Sequence, residues 1–218
     1  MKGDAYHIIN RGVEKRKIFL DKEDFFRFRD NLYDFNTTAL SPMSHSDRQK
    51  FNSAIRNRKP GDELVEILCV CLMPNHFHIL VSEKIDGGAG LFLKKVLSGY
   101  TQFFNLKYKR KGVLFQGKTK KILVKKEGHF MLLPYYILSN PINLIEPKWK
   151  KQGLKNKKGV LMFLDEYKWS SFRDLSSCEA GIFSKIVNKE LFFNLFGFNK
   201  QEKFLNFFVE WLENAYKE

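Results

Sequence analysis

The chain has 218 residues, of which 38 are Lys or Arg and 24 are Asp or Glu, so its formal net charge at pH 7 is +14. A hydrophobic content of 44%, with 22 Phe, excludes a disordered basic tail and supports a core in one or two domains. The basic excess favours a polyanionic partner, with nucleic acid as the first candidate, although a lysine-rich but merely soluble surface is the alternative.

The cysteine content and the hydropathy predict the cellular location of the protein. Cys69, Cys71 and Cys178 do not make a disulfide framework, and the first two alternate on an apolar strand. Cys69 and Cys71 are therefore expected to be buried free thiols in a reducing compartment. The first ten residues lack the pattern of a signal peptide, and no run of about 18 apolar residues predicts a transmembrane helix. We expect a cytoplasmic protein with no membrane partner.

The first 62 residues predict one strand, one helix and a long irregular segment. Residues 5–10 are typical of a strand, and a basic loop follows it. Apolar residues at helical spacing predict an amphipathic helix over 22–35, with Asp21 as its N-cap. Residues 36–62 are polar and have no clear period, so we expect a long excursion there.

The middle of the chain completes a sheet. Two apolar runs within 64–83, separated by Pro74-Asn75, predict two adjacent strands. The glycine-rich stretch 87–90 predicts a flexible joint before a helix at 91–109, and residues 113–124 predict a turn into a fourth strand. The resulting order β-α-β-β-α-β indicates an α+β, ferredoxin-like antiparallel sheet with helices on one side.

The remaining residues predict a helical C-terminal extension. A helix is expected at 128–139, where Asn140-Pro141 stops it. The Lys-rich and Gly-punctuated stretch 146–159 predicts a loop. Two further helices are predicted at about 188–196 and 200–216.

Two histidines flank one apolar residue at the start of the third predicted strand. Because residues i and i+2 of a strand share a face, His76 and His78 project together while Phe77 points into the core. Two imidazoles side by side on a rigid strand are a ready pair of metal ligands. Two ordinary histidines at a strand end are an equally good interpretation of the spacing alone.

The predicted helix at 128–139 can complete such a site. Tyr136 and Asn140 are four residues apart, so they occupy one helical face, whereas Tyr135 is off that face and is expected to pack. The Asn140 amide oxygen could then bind a metal beside the Tyr136 hydroxyl. Two nitrogens, one oxygen and open positions suit Mg²⁺ or Mn²⁺ held with substrate phosphate oxygens. A helix-terminal asparagine and a packed tyrosine are the alternatives.

A tyrosine beside a metal can attack phosphorus. The metal withdraws charge from the scissile phosphate and helps the phenol to lose its proton. Attack gives a phosphotyrosine and a free 3′ hydroxyl, and the ester retains the bond energy needed to rejoin strands without ATP. The sequence contains no Walker-type phosphate-binding loop, which agrees with this hypothesis.

A basic segment supplies a surface for nucleic acid. Nine Lys or Arg and no Asp or Glu occur between Lys107 and Lys126, interleaved with Tyr108 and Phe115. Cations that bind phosphates and aromatics that stack on bases suit single-stranded nucleic acid, although a solvated charged face is the alternative. With the basic loop after the first strand, the predicted nucleic-acid contacts are Arg11, Lys15, Arg16, Lys109, Arg110, Gln116, Lys118, Lys120 and Lys121.

Five motifs in order resemble those of the single-tyrosine transposases, and more narrowly their REP-associated branch. They are Tyr6-His7-Ile8-Ile9-Asn10-Arg11-Gly12, Met73-Pro74-Asn75-His76-Phe77-His78, Gly112-Val113-Leu114-Phe115-Gln116-Gly117-Lys118, Tyr136 with Asn140-Pro141, and Trp169-Ser170-Ser171. The resemblance implies a His-hydrophobic-His nuclease that cleaves single-stranded DNA near an imperfect hairpin through a 5′-phosphotyrosine.

The same resemblance implies a role for each residue of the predicted site. His76 and His78 match the metal histidines, Tyr136 matches the nucleophile, and Asn140 stands where the third ligand is expected. Residues 1–145 would form the catalytic domain and 146–218 a loop plus helical extension. The sequence leaves open a homodimer, a domesticated hairpin-binding protein that no longer cuts, and an RNA-processing or regulatory protein.

Overall fold

One antiparallel sheet occurs in the computed structural model, which describes residues 3–39 and 62–215. Its strands are β1 (Ala5–Arg11), β2 (Val65–Met73), β3 (His76–Glu83) and β4 (Lys120–Leu123). They pair in the order β2-β3-β1-β4, so β3 is paired on both sides. The described α-helices are α1 (Lys22–Asp34), α2 (Gly88–Lys107), α3 (Glu127–Leu138), α4 (Trp149–Gln152), α5 (Lys157–Glu166), α6 (Phe172–Ser176), α7 (Lys189–Phe196) and α8 (Gln201–Asn214). The ferredoxin-like α+β fold is confirmed.

The register between β1 and β3 decides which side chains share a face. Arg11 pairs with His76, and Ile9 pairs with His78. Directly opposed residues of an antiparallel pair point to the same side, so these four side chains share one face of the sheet. Phe77 lies between the two histidines and points to the other face, where it is fully buried. We name these the histidine face and the core face.

The first two helices pack on the core face. The Phe28 ring of α1 lies 5.0 Å from the Phe77 ring and 5.0 Å from the Tyr100 ring of α2, measured between centroids. Asp21 caps α1 as predicted, because its carboxylate accepts a hydrogen bond of 3.1 Å from the Asp24 backbone N–H. The helix therefore begins at the predicted residue and ends within one residue of its predicted end.

The second helix begins three residues earlier than predicted. The stretch 87–90 is not a flexible joint, because Gly88 already belongs to the first helical turn. A Cβ at Gly88 would lie 2.4 Å from the Leu64 carbonyl oxygen, so a glycine permits this close approach. The Glu83 carboxylate also accepts a hydrogen bond of 2.9 Å from the Ala89 N–H and fixes the start of the helix.

Two stretches were expected to be irregular. The excursion predicted at 36–62 falls mostly in residues 40–61, outside the described residues. The loop predicted at 146–159 is wrong, because it contains α4 and the first turn of α5. Burial of Trp149, whose ring centroid lies 6.2 Å from that of Trp211, folds this polar stretch against the body of the protein.

The tail contains the two predicted helices, now α7 and α8, and α8 packs on α3. The Tyr135 ring lies 6.0 Å from Phe204 and 5.9 Å from Trp211, between ring centroids. The helical extension therefore contacts the helix that carries Tyr136, while the domain boundary at residue 145 stays a prediction. Among the described helices, none is long and apolar enough to cross a membrane.

Residues after α5 cover the outer edge of β2. The Leu72 N–H donates to the Trp169 carbonyl at 2.8 Å, and the Ser171 N–H donates to the Val70 carbonyl at 2.9 Å. The Tyr167 hydroxyl donates to the Leu72 carbonyl, also at 2.8 Å. These bonds satisfy backbone groups that an edge strand would leave to solvent. At the other end of the sheet, all four side chains of β4 are exposed.

Candidate active site

Strand β3 brings His76 and His78 together on the histidine face. Their ring centroids are 5.2 Å apart and their planes are nearly perpendicular, at 82°. His78 is 1% exposed, whereas His76 is half-buried. The predicted shared face is therefore observed, on a strand paired on both sides and held rigid by the sheet.

Each histidine has one ring nitrogen engaged by the protein. The Nδ1 of His76 lies 2.7 Å from the Asn75 side-chain oxygen, and the Nδ1 of His78 lies 2.9 Å from the Nε2 of His7. Because an amide oxygen only accepts, the first bond requires a proton on the Nδ1 of His76. The Nε2 of a neutral His76 then carries a lone pair, which is the form that binds a metal.

Helix α3 carries Tyr136 to the same place. It runs through Pro134, whose missing N–H leaves the Phe130 carbonyl without its usual helical partner but does not end the helix. The Tyr136 ring meets the His78 ring edge to face at 5.7 Å between centroids, and its side chain is 37% exposed. Tyr135 packs against α8 as predicted, and burial raises its pKa to about 12.

Asn140 follows α3 by two residues and lies on the same side as Tyr136. Its amide nitrogen donates to the Tyr136 carbonyl at 2.8 Å and to the Ile137 carbonyl at 3.2 Å. These two bonds orient the amide and leave its oxygen to other partners. The nearby Asn140 side chain opposes the lowering of the pKa of His76 by burial.

A cavity of about 710 Å³ joins these groups to the basic residues. His76, His78, Tyr136 and Asn140 form one part of its wall. The other part of the wall includes five of the predicted nucleic-acid contacts, namely Arg11, Lys15, Gln116, Lys118 and Lys120. A phosphate in this cavity would therefore meet the Tyr136 side chain on one side and positive charge on the other.

The other predicted nucleic-acid contacts lie outside this wall. Arg16 pairs with Glu14 at 3.0 Å, and Arg110 hydrogen-bonds to the Asn105 side chain. Lys121 lies over the Tyr6 ring, with its ammonium 4.3 Å from the centroid. Lys109 is exposed in the turn after α2. These four residues remain candidates for contacts with DNA beyond the cavity.

Burial keeps the site histidines neutral. Desolvation lowers the pKa of His76 from its usual value of 6.5 and lowers that of His78 well below 6.5. For His78 the nearby His7, His76 and Lys150 add to the effect. Desolvation also lowers the pKa of Lys150, which lies against the Tyr136 ring. Neutral imidazoles near pH 7 keep lone pairs for a metal.

The residues present fit a hard divalent cation better than a structural zinc. No three His, Cys, Asp or Glu side chains form a metal cluster within residues 3–39 and 62–215. A cation would therefore rely on His76, His78 and the Asn140 oxygen, with its remaining positions open. Zinc in structural sites takes four protein ligands, whereas Mg²⁺ and Mn²⁺ accept phosphate oxygens and water at open positions.

The chain is similar in overall arrangement to a solved structure. That structure is of a REP-associated tyrosine transposase bound to a REP hairpin, and the similarity covers 80% of each chain. The TM-score is 0.49 and the sequence identity is 15%. No family model and no curated protein sequence matches the chain.

The sequence patterns did not predict two residues that contact the site from outside the cavity wall, His7 and Lys150. His7 reaches His78 only through the pairing of β1 with β3, although it belongs to the Tyr-His motif of the first strand. Lys150 comes from the stretch predicted as a loop, and its ammonium lies 4.4 Å from the centroid of the Tyr136 ring. Trp149, a large apolar residue inside a lysine-rich stretch, was the available signal that this segment folds back.

Proposed function

We propose that the protein is a metal-dependent single-stranded DNA endonuclease and strand transferase, a tyrosine transposase, with Tyr136 as the nucleophile. One observation carries this proposal: a partly exposed tyrosine, two neutral histidines and an amide share one cavity with basic side chains. The five motifs that resemble those of REP-associated tyrosine transposases support hairpin DNA as the substrate.

In the proposed reaction the Tyr136 oxygen attacks the scissile phosphorus. A Tyr–O–P bond forms and the bond from phosphorus to the 3′ oxygen breaks. The phenol loses its proton, and the leaving 3′ oxygen gains one. The products are a 5′-phosphotyrosine and a free 3′ hydroxyl. Attack by another 3′ hydroxyl reverses these changes, which joins two strands and restores the phenol.

We assign different roles to the side chains in and near the cavity. His76, His78 and Asn140 would hold a divalent cation, which when bound withdraws charge from the phosphate oxygens. Lys118 and Lys120 would neutralise neighbouring phosphates and hold the strand in register. Lys150, which is not part of the cavity wall, would add an ammonium group over the ring of Tyr136.

The test is adduct formation by Tyr136→Phe, with Tyr135→Phe as the matched control because Tyr135 is buried and lies outside the cavity wall. Wild type and Tyr135→Phe should each form a covalent adduct with single-stranded hairpin DNA and Mn²⁺, seen on a denaturing gel. Tyr136→Phe should form none. A 3′-end label should travel with the protein, whereas a 5′-end label should leave on the free fragment.

Two outcomes would redirect the proposal. An adduct that persists in Tyr136→Phe would show that another residue is the nucleophile. Hairpin binding by the wild type without any metal-dependent adduct would support the non-cleaving binding protein instead. A parallel series with RNA hairpins of the same sequence tests the RNA-processing alternative, which predicts preference for RNA.

A further inference from the structure

His7 lies behind the proposed metal ligand His78. It is 7% exposed and does not belong to the cavity wall. Its Nε2 lies 2.9 Å from the Nδ1 of His78. The planes of the two rings differ by 18° and their centroids are 5.1 Å apart, which fits rings meeting edge to edge in an in-plane hydrogen bond.

This hydrogen bond decides which nitrogen of His78 carries its proton. A neutral imidazole has one N–H and one lone pair. If His78 donates from Nδ1 to the Nε2 of His7, its own Nε2 carries the lone pair. If His7 donates instead, the Nε2 of His78 must carry the proton and cannot bind a metal. The identity of the donor therefore determines whether His78 can be a ligand.

The two proposed histidine ligands differ in how their tautomers are fixed. Asn75 presents an amide oxygen to His76, and an oxygen has no alternative to accepting. His7 can either accept or donate, so its own tautomer matters. A cation in the cavity favours the arrangement in which His7 accepts, because only that arrangement leaves the Nε2 of His78 free.

We propose that His7 is a positioning residue, which accepts a hydrogen bond from His78 and so orients the His78 Nε2 lone pair for a divalent cation. This inference rests on the proposed metal-dependent function. An apolar residue at position 7 would fill the same space but would leave the Nδ1 of His78 buried without its partner. Outer-shell partners of metal-bound histidines commonly change metal affinity about tenfold to a hundredfold when removed.

The test measures Mn²⁺ binding by the full chain without DNA, using calorimetry and the electron paramagnetic resonance signal of free Mn²⁺. His7→Leu should weaken binding by about tenfold to a hundredfold. His7→Gln places an amide near the position of the ring Nε2 and should restore much of the affinity. His129→Ala is the control, because His129 is exposed on α3 and lies outside the cavity wall.

A second measurement uses the wild type alone and stands even where His7→Leu does not fold. Nitrogen-15 spectra of the ring nitrogens, recorded with saturating Mg²⁺, should show a proton on the Nδ1 of His78 and none on the Nε2 of His7. The opposite pattern would overturn the inference.

The binding results also separate two failures. If the wild type binds Mn²⁺ and His7→Leu binds it equally well, His7 has no positioning role and the proposed function still stands. If the wild type binds no Mn²⁺, the proposed metal centre fails and the role of His7 fails with it.

Discussion

The two faces of β3 meet different surroundings, although their residues alternate along one strand. On the core face, Phe77 is fully buried, and its ring contacts those of Phe28 in α1 and Phe115. On the histidine face, His76 and His78 meet hydrogen-bond partners and the cavity. A strand whose one face is fixed by packing cannot shift its register, so the core face holds the histidines in place.

Substitutions at neighbouring residues of β3 should separate the effect of the core face on stability from the effect of the histidine face on activity. Phe77→Ala should lower the free energy of unfolding by about 3–5 kcal/mol, because it empties a packed site between the sheet and α1. His76→Ala should change that free energy by less than about 1 kcal/mol but reduce metal-dependent adduct formation by more than about a hundredfold.

Urea denaturation and the rate of adduct formation give the two quantities for each variant. Tyr135→Phe serves as a control for both, since it preserves the ring and lies off the cavity wall. If His76→Ala destabilised the protein as much as Phe77→Ala, the histidine face would be part of the core rather than a site.

Acid should destabilise the histidine face selectively. Burial lowers the pKa of His7 from 6.5 to about 4, with a smaller contribution from His129, and the pKa of neighbouring His78 is lowered as well. Between these values the unfolded chain binds a proton that the folded chain does not. The free energy of unfolding is therefore unaffected by His7 above pH 6.5. It falls as the pH drops towards about 4, by up to about 3 kcal/mol for His7.

The measurement is the urea midpoint of wild type and His7→Gln at about pH 7.5 and about pH 5. The variant should lose less stability between the two conditions. Comparing the two proteins cancels the opposite contribution of buried Asp174, whose pKa burial raises to about 6. Equal losses in both proteins would assign the acid sensitivity to other groups.

The core face was easier to predict from the sequence than the histidine face. Period and turn residues located the strands, α1 and the tail helices, and the i/i+2 rule identified the face shared by His76 and His78. These signals are local, because each depends on residues close together in the chain. The ring of Tyr135 could be separated from that of Tyr136 for the same reason.

What could not be predicted depends on contacts between distant segments. His7 and His78 are 71 residues apart, and only the pairing of β1 with β3 brings their nitrogens together. Lys150 reaches Tyr136 because burial of Trp149 folds a lysine-rich stretch into α4, against the expectation of a loop. Local hydropathy shows through Trp149 that the second segment folds back, but it does not show which distant side chain either residue meets.

The smallest expected effect concerns DNA binding by two neighbouring lysines of β4. Lys120 and Lys121 are adjacent, but Lys120 lines the cavity whereas Lys121 lies over the Tyr6 ring. Lys120→Ala should remove one phosphate contact and reduce the slope of log affinity against log salt by about 0.7 for single-stranded DNA. Lys121→Ala removes the same charge but no contact inside the cavity, so it should reduce the slope by less than Lys120→Ala does. Fluorescence anisotropy of a labelled strand over a salt series, without divalent metal, measures both slopes. Equal slopes for the two variants would mean that DNA follows the outer edge of the sheet rather than entering the cavity.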